Sequence, residues 1–74
     1  MSKIIYTEKY EFFLERLKQA RKEKGLTQAG VANALGKHQS YVTKCENGER
    51  RVDIIELAEF ARLYGKPLDY FVGG

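Results

Sequence analysis

The sequence predicts an all-α domain, built as a compact bundle of five short helices. Glycine and proline divide the chain at five points: Gly25, Gly36, Gly48, Gly65 and Pro67. The segments between them carry apolar residues at three- and four-residue spacing, which is typical of amphipathic helices, and none shows sustained strand-like alternation. With 74 residues, 43% hydrophobic and 31% charged, we expect one domain over residues 1–74, with its core in about 13–71.

The first helix is predicted from about Glu8 to Lys24. Its apolar residues form one stripe along the helix: Tyr10, Phe13, Leu14, Leu17 and Ala20. Lysine and arginine crowd the last turns, where positive charge suits the helix dipole, and Gly25 allows the left-handed conformation that ends a helix. We expect the apolar run 4–6 to pack back onto the body of the domain.

A short second helix is predicted from Gln28 to Leu35, with Thr27 as its N-cap. Its inward-facing residues are predicted to be Val31, Ala32 and Leu35. Gly36 ends this helix and permits a tight turn into the next one. This helix, the turn at Gly36 and the helix that follows span about residues 28–47. Two short helices joined by such a turn form a helix-turn-helix pattern.

The third helix is predicted from about Gln39 to Glu46, ended by Asn47 and the glycine that follows it. Val42 and Cys45 lie three residues apart and face inward. We interpret Cys45 as a small buried hydrophobe, in preference to a metal ligand or redox sensor, because a buried thiol is inert.

Asp53 and Glu56 predict a capping box at the start of a fourth helix, about Ile54 to Tyr64. Its buried side is predicted to consist of Ile54, Leu57, Ala58, Ala61 and Leu63, with Phe60 partly buried. Gly65 ends it, and a last short helix is predicted over Leu68 to Val72.

Charge is distributed unevenly along the chain. Through Arg51 there are 11 Lys and Arg against 6 Asp and Glu, a net +5, whereas residues 52–74 carry 2 against 4, a net −2. This asymmetry favours a polyanion as the partner of the N-terminal two-thirds. An uneven but merely solvated surface is the alternative.

Several classes of function are disfavoured by composition. The single cysteine excludes an intrachain disulfide, and Cys45 with the lone His38 cannot complete a closed zinc site. No paired carboxylates or nucleophile constellation stand out, so we expect neither enzymatic activity nor a cofactor. No apolar run approaches the roughly 20 residues that cross a bilayer, and we expect a soluble, cytoplasmic protein.

The run LKQARKEKGLTQAGVANALGKHQSYVTKCENGERR, followed by ELAEFARLYGKPLDYF, resembles the Cro/CI-type (XRE) helix-turn-helix domains of bacterial and phage repressors. The resemblance covers about residues 13–71. It is carried by the ordered set R-x-x-x-G-L-T-Q, L-G, Q-S and E-N-G, which is far more specific than any one of its parts. The resemblance implies a lambda-repressor-like fold of five helices that binds DNA.

The resemblance also assigns roles to individual residues. Base edges in the major groove are expected to face four side chains of the third helix: Gln39, Ser40, Thr43 and Lys44. The glutamine amide suits adenine, the lysine ammonium suits guanine, and the hydroxyl groups suit several bases. The DNA backbone or its border is expected to contact a second set: Thr27, Gln28, Lys37, His38, Tyr41, Asn47, Arg50 and Arg51. In the family, the glutamine at the position of Gln28 also often braces a side chain of the recognition helix.

Arg21 and Glu46 match a pair that forms a salt bridge in family members, for which we expect an orienting role at best. The alternative is that both are ordinary exposed charges. Three positions depart from the family pattern. His38 replaces a small capping hydroxyl residue, Cys45 replaces a larger aliphatic residue, and Val52 replaces a common proline. The first departure predicts an N-cap on the third helix that is either weaker or pH-sensitive.

The resemblance therefore implies a sequence-specific regulator of transcription, most simply a repressor that occludes a promoter. One short helix reads few base pairs, so a homodimer on a near-palindromic operator is expected. The candidate interface comprises apolar residues near the C-terminus: Leu68, Tyr70, Phe71 and Val72. Packing in the core explains Leu68 and Phe71 equally well. The alternative function is an antitoxin or protein-interaction module with the same fold.

Overall fold

The computed structural model describes residues 7–73, so the prediction for the run 4–6 lies outside the described residues. Within residues 7–73 the chain forms five α-helices in this order: α1 Glu8–Glu23, α2 Gln28–Leu35, α3 Gln39–Asn47, α4 Ile54–Tyr64 and α5 Leu68–Val72. The predicted all-helical fold is confirmed.

Two helix ends differ by one residue from the prediction. α1 ends at Glu23 with Lys24 as its C-cap, and the left-handed residue is Gly25, with φ of 77°. α3 includes Asn47 because Gly48, with φ of 81°, supplies the positive φ that ends the helix. Glycine adopts this conformation without a Cβ clash, so Asn47 can remain helical.

Side-chain caps fix the starts of three helices. Thr7 and Thr27 accept hydrogen bonds from the amides of Tyr10 (3.1 Å) and Gly30 (3.0 Å), respectively. At α4, Asp53 accepts from the Glu56 amide at 2.8 Å, while Glu56 accepts from the Asp53 amide at 3.0 Å. The predicted cap of α2 and the capping box of α4 are thus confirmed.

The core lies where α1 packs against α3, α4 and α5. Leu17, Val42 and Phe71 are fully buried, one from each of three helices. The full set of buried apolar residues is Phe13, Leu14, Leu17, Ala20, Val31, Ala32, Val42, Cys45, Leu57, Phe60, Ala61, Tyr64 and Phe71. Burying a side chain the size of leucine or phenylalanine stabilises the fold by roughly 1.5–3 kcal/mol.

The predicted buried side of α4 is wrong in part. Ile54 is 64% exposed and Ala58 is also exposed, whereas Phe60, predicted to be only partly buried, is fully buried. The residues that do face the core are Leu57, Phe60, Ala61 and Tyr64. These follow the i, i+3, i+4, i+7 spacing of one helix face, and Ala58 falls on another face. Ile54 shares the spacing of Leu57 and Ala61, but it is the first residue of the helix and lies exposed at its end.

Candidate nucleic-acid interface

Helix α3 has two chemically distinct faces. Val42, Cys45 and Glu46 are buried, while a polar set is exposed on the other side: Gln39, Ser40, Lys44 and Asn47. Positions 40, 44 and 47 recur at helical spacing and therefore form one outward stripe. Three of the four side chains predicted to face bases thus lie on an open surface.

Thr43, the fourth predicted base-facing residue, is only partly exposed and is engaged within the protein. Its hydroxyl donates a hydrogen bond of 2.7 Å to the side-chain oxygen Oε1 of Gln28, at the start of α2. The structure therefore joins a residue predicted to face bases to one predicted to contact phosphate. This contact fixes the spacing between the two helices of the helix-turn-helix at their polar edge.

The same hydrogen-bond chain continues into a buried ion pair. Nε2 of Gln28 donates to Oε1 of Glu46 at 2.9 Å. Arg21 reaches both oxygens of that carboxylate, with Nε at 2.7 Å from Oε2 and Nη2 at 3.2 Å from Oε1. Its Nη1 also donates to the Leu26 carbonyl at 3.0 Å. The predicted pairing of Arg21 with Glu46 is confirmed, and the guanidinium contacts both oxygens of the carboxylate.

The burial of this pair was not predicted. Only 2% of the Glu46 side chain and 13% of the Arg21 side chain are exposed. The hydrogen bond to Glu46, together with the attraction of its charge, outweighs burial and raises the pKa of Arg21 above its ordinary value. Because a charge at this depth needs its partner, the pair ties the angle of α3 to α1 far more firmly than a surface pair would.

On the opposite side of α3, Tyr41 packs against α4. Its ring stacks on Phe60, with centroids 6.1 Å apart and planes within 5°. The Tyr41 hydroxyl is buried, and burial raises the pKa of this group above its ordinary value. The resemblance assigned Tyr41 to the set expected at the DNA backbone or its border. In the structure the hydroxyl is not presented for that purpose, because it points into the protein.

Two cations lie over the Tyr41 ring. Nζ of Lys37 is 5.1 Å from the ring centroid, and the guanidinium carbon of Arg50 is 4.9 Å from it. Arg50 is also bound to Glu56, with Nη2 at 2.9 Å from Oε2. Lys37 and Arg50 thus flank α3 on its α4 side, but the charge of Arg50 is already paired.

Arg51 lies on a different aromatic ring. Its guanidinium carbon is 4.4 Å from the centroid of Tyr10 in α1, and its side chain is exposed. The Tyr10 hydroxyl accepts a hydrogen bond from the amide of Val52 at 3.2 Å. Tyr10 therefore holds the loop that follows α3, a role the sequence could not reveal because the two residues are 42 positions apart.

His38 occupies the N-cap position of α3, is exposed, and makes no side-chain capping hydrogen bond within the described residues. The weaker cap predicted from the departure at this position is confirmed. Thr27 is likewise exposed, but its hydroxyl already accepts the capping bond of α2. Asn47 is exposed. Because it is the last residue of α3, it lies next to the loop that carries Arg51.

Metal-ligating groups, the cysteine and apolar helices can also be described for residues 7–73. No group of three or more metal-ligating side chains occurs in that range. Cys45 is buried, and burial raises the pKa of its thiol, which favours the unreactive protonated form. Among the same residues, no helix is long and apolar enough to cross a membrane.

Comparison with known proteins agrees with this geometry. The sequence matches the model of the family described as "Helix-turn-helix" over residues 17–71, which include α2 and α3. A similar curated protein is the "Uncharacterized HTH-type transcriptional regulator YqaE" of Bacillus subtilis (strain 168). It is 37% identical over 62 residues, which are 84% of this chain and 53% of the relative. The chain thus spans about half the length of the curated relative it matches.

Proposed function

Because the chain belongs to the XRE-type helix-turn-helix family, we propose that it binds double-stranded DNA sequence-specifically and regulates transcription as a repressor. The observation that carries this proposal is the exposed polar stripe of α3, on a helix whose buried side is tied to α1 through Glu46. A rigid helix with a polar outer face is what major-groove recognition requires.

Three side chains are proposed to contact base edges: Gln39, Ser40 and Lys44. Glutamine pairs bidentately with adenine, and lysine donates to O6 and N7 of guanine. The serine hydroxyl can donate to or accept from several base edges. Thr43 is proposed to act at the edge of this set, since its hydroxyl retains acceptor capacity while it donates to Gln28. Each good bidentate pair discriminates against the wrong base by about 1–3 kcal/mol.

The DNA backbone is proposed to lie along the start of α2 and the loop after α3. The first-turn amides of α2 suit a phosphate oxygen, and Gln28 stands among them. At the other end, Asn47 and Arg51 are proposed to contact phosphate, with Lys37 and His38 at the border of α3. These contacts fix register, whereas base contacts supply specificity.

The test is selection of binding sites from a random duplex pool, followed by titration of the selected duplex. We expect recovery of one sequence motif, and Lys44→Ala should change the preferred bases. The control is Lys22→Ala, which removes an equal charge from the exposed surface of α1. Binding without any sequence preference would refute the specific regulator, and the absence of DNA binding would favour the interaction module instead.

A homodimer is proposed because one short helix reads too few base pairs for specificity. In a dimer the recognition helix of each subunit reads one half-site. Two of the four C-terminal candidates are exposed, Leu68 at 42% and Val72 at 60%. Phe71 is fully buried and is therefore left out of the proposed interface, whereas Tyr70 is half-buried. Phe12, 37% exposed, extends the patch, because its ring lies beside Gly73.

Sedimentation tests this interface. Val72→Glu is expected to shift the protein to monomer and to weaken operator binding. Ile55→Glu, at an equally apolar position that is 67% exposed on α4, is the matched control and should leave the dimer intact. If both variants sediment as dimers, the proposed C-terminal interface is wrong. If the wild-type protein is monomeric both with and without operator DNA, the proposed homodimer is wrong.

A further inference from the structure

The Arg50 guanidinium is held by a carboxylate on the next helix. Nη1 lies 3.0 Å from Oε1 of Glu56 and Nη2 lies 2.9 Å from Oε2. Nη1 also donates to the Arg51 carbonyl at 3.2 Å. The two parallel bonds match a planar guanidinium to a carboxylate, the geometry that makes arginine pairs strong and directional.

Glu56 is held in place by a second contact besides Arg50. Its carboxylate accepts the Asp53 amide as half of the α4 capping box, and only 16% of its side chain is exposed. Burial opposes its ionisation, but the hydrogen bonds from Arg50 and Asp53 outweigh burial and hold the pKa of Glu56 below its ordinary value. A fixed anion therefore stands beside the loop after α3.

The neighbouring Arg51 has a contrasting environment. It follows Arg50 directly in the chain, yet within the described residues it lies over the Tyr10 ring without an ion pair. A cation on an aromatic face keeps its charge available to a third partner, whereas a bidentate ion pair does not. The two consecutive arginines are therefore not equivalent towards phosphate.

We propose that Glu56 is a positioning residue that withholds Arg50 from the DNA backbone, leaving Arg51 as the phosphate-binding arginine of this loop. The inference rests on the proposed DNA-binding function and differs from the expectation that Arg50 contacts the backbone. Moving Arg50 to a phosphate would break both bonds to Glu56 and leave that carboxylate unpaired near the anionic duplex.

The consequence concerns specificity. Phosphate contacts strengthen binding to every sequence alike, and each one steepens the plot of log affinity against log salt by about 0.9. Masking one arginine removes about one such contact, which lowers sequence-independent affinity and leaves base contacts untouched. Glu56 would thereby raise the ratio of specific to non-specific binding.

The experiment measures salt slopes by fluorescence anisotropy, on a duplex of arbitrary sequence and on the selected operator. Glu56→Gln removes the charge, while glutamine can still serve in a capping box. Relative to Glu59→Gln, an equal charge change at an exposed site of the same helix, its slope should be steeper by about 0.9. A fourfold rise in salt should thus weaken its binding about 3.5-fold more than that of the control.

Arg50→Ala completes the cycle. In the wild-type background it should leave the slope unchanged, whereas in the Glu56→Gln background it should cancel the added 0.9 or so. Arg51→Ala should reduce the wild-type slope by about 0.9 and thus shows that the assay detects one contact. Circular dichroism melts establish that each variant is folded. If Glu56→Gln does not fold, Arg50→Ala alone decides, because it keeps the capping box.

Two results would overturn the inference: a shallower slope for Arg50→Ala in the wild-type background, or equal slopes for Glu56→Gln and Glu59→Gln. Either leaves the proposed function standing, since the wild type still binds DNA in a salt-dependent way. If the wild type binds neither duplex at any salt concentration, the proposed function and the role of Glu56 fail together.

Discussion

Arg21→Met is the most informative change to the buried network, because methionine keeps much of the side-chain volume and removes the charge. The variant leaves the Glu46 carboxylate, 2% exposed, with Gln28 as its remaining side-chain donor within the described residues. Removing one partner of a buried pair costs about 3–5 kcal/mol. The lower end applies, because the Arg21 side chain is still 13% exposed and water can replace part of it.

This loss is large relative to the whole domain. A chain of 74 residues is stabilised by about 4–11 kcal/mol in total, at 0.05–0.15 kcal/mol per residue. A loss of about 3 kcal/mol lowers the melting temperature of a domain this size by about 12–24 °C. Thermal and urea denaturation followed by circular dichroism measure both quantities.

A matched control separates burial from charge. Lys18→Met removes the cation of an ion pair on the same helix, Lys18 with Glu15 at 3.3 Å, whose side chains are 37% and 76% exposed. Its stability should change by less than about 1 kcal/mol. The double variant Arg21→Met with Glu46→Leu should regain most of the loss, because no buried charge is left unpaired. If Arg21→Met costs no more than Lys18→Met, burial does not set the strength of the Arg21–Glu46 pair.

Three further predictions test single features. His38→Ser should stabilise the protein by about 1 kcal/mol in thermal denaturation, by adding the missing N-cap acceptor of α3; an unchanged midpoint would contradict this. Because the folded pKa of Glu56 is depressed below 4.5, its contribution is present above that pH and lost as pH falls. The stability difference between wild type and Glu56→Gln should therefore shrink in urea titrations below about pH 4.5, and a constant gap would count against the ion pair. Cys45, fully buried with a raised pKa, should react with a thiol reagent only at the rate of unfolding, and fast stoichiometric labelling of native protein would show otherwise.

Local signals in the sequence were sufficient for the helices. Thr27, Asp53 and the glycines that follow helix ends act within one turn of chain, so their effect depends little on tertiary structure. The boundaries of α2 and α4 were predicted correctly for this reason. The apolar stripe of α1 was equally clear, because most residues on the other faces of that helix are charged or polar.

The buried face of α4 could not be chosen from its own sequence. Apolar residues occupy most positions of this helix, so several faces qualify by periodicity alone. Packing decides between them: Phe60 stacks between Tyr41 and Tyr64, with ring centroids 6.1 and 6.0 Å away. Ile54, the first residue of the helix, is exposed. The choice depends on contacts with α3, which a single segment does not encode.

The candidate site shows the same division between local and long-range information. Spacing along α3 was enough to separate Val42 and Cys45 from the outward stripe. The resemblance implied that Gln28 braces a side chain of the recognition helix, and in the structure Thr43 is such a side chain. The partner of Arg50 could not be predicted, because it is a side chain from another helix at hydrogen-bond distance. The resemblance supplied the pairing of Arg21 with Glu46, but not its depth, which depends on how the surrounding helices close over it.

The two sides of α3 are held by different physics, and this bears on how its specificity can change. Towards α2 the helix is tied by two directional hydrogen bonds to Gln28, one donated by Thr43 and one accepted by Glu46, which fix its rotation. Towards α4 it is held by the stacked ring of Tyr41, which fixes its distance. The exposed residues of the stripe, such as Ser40 and Lys44, belong to neither restraint. Substituting them should change stability by no more than about 0.5 kcal/mol. The sequence preference of this surface can therefore vary while the geometry that presents it stays constant.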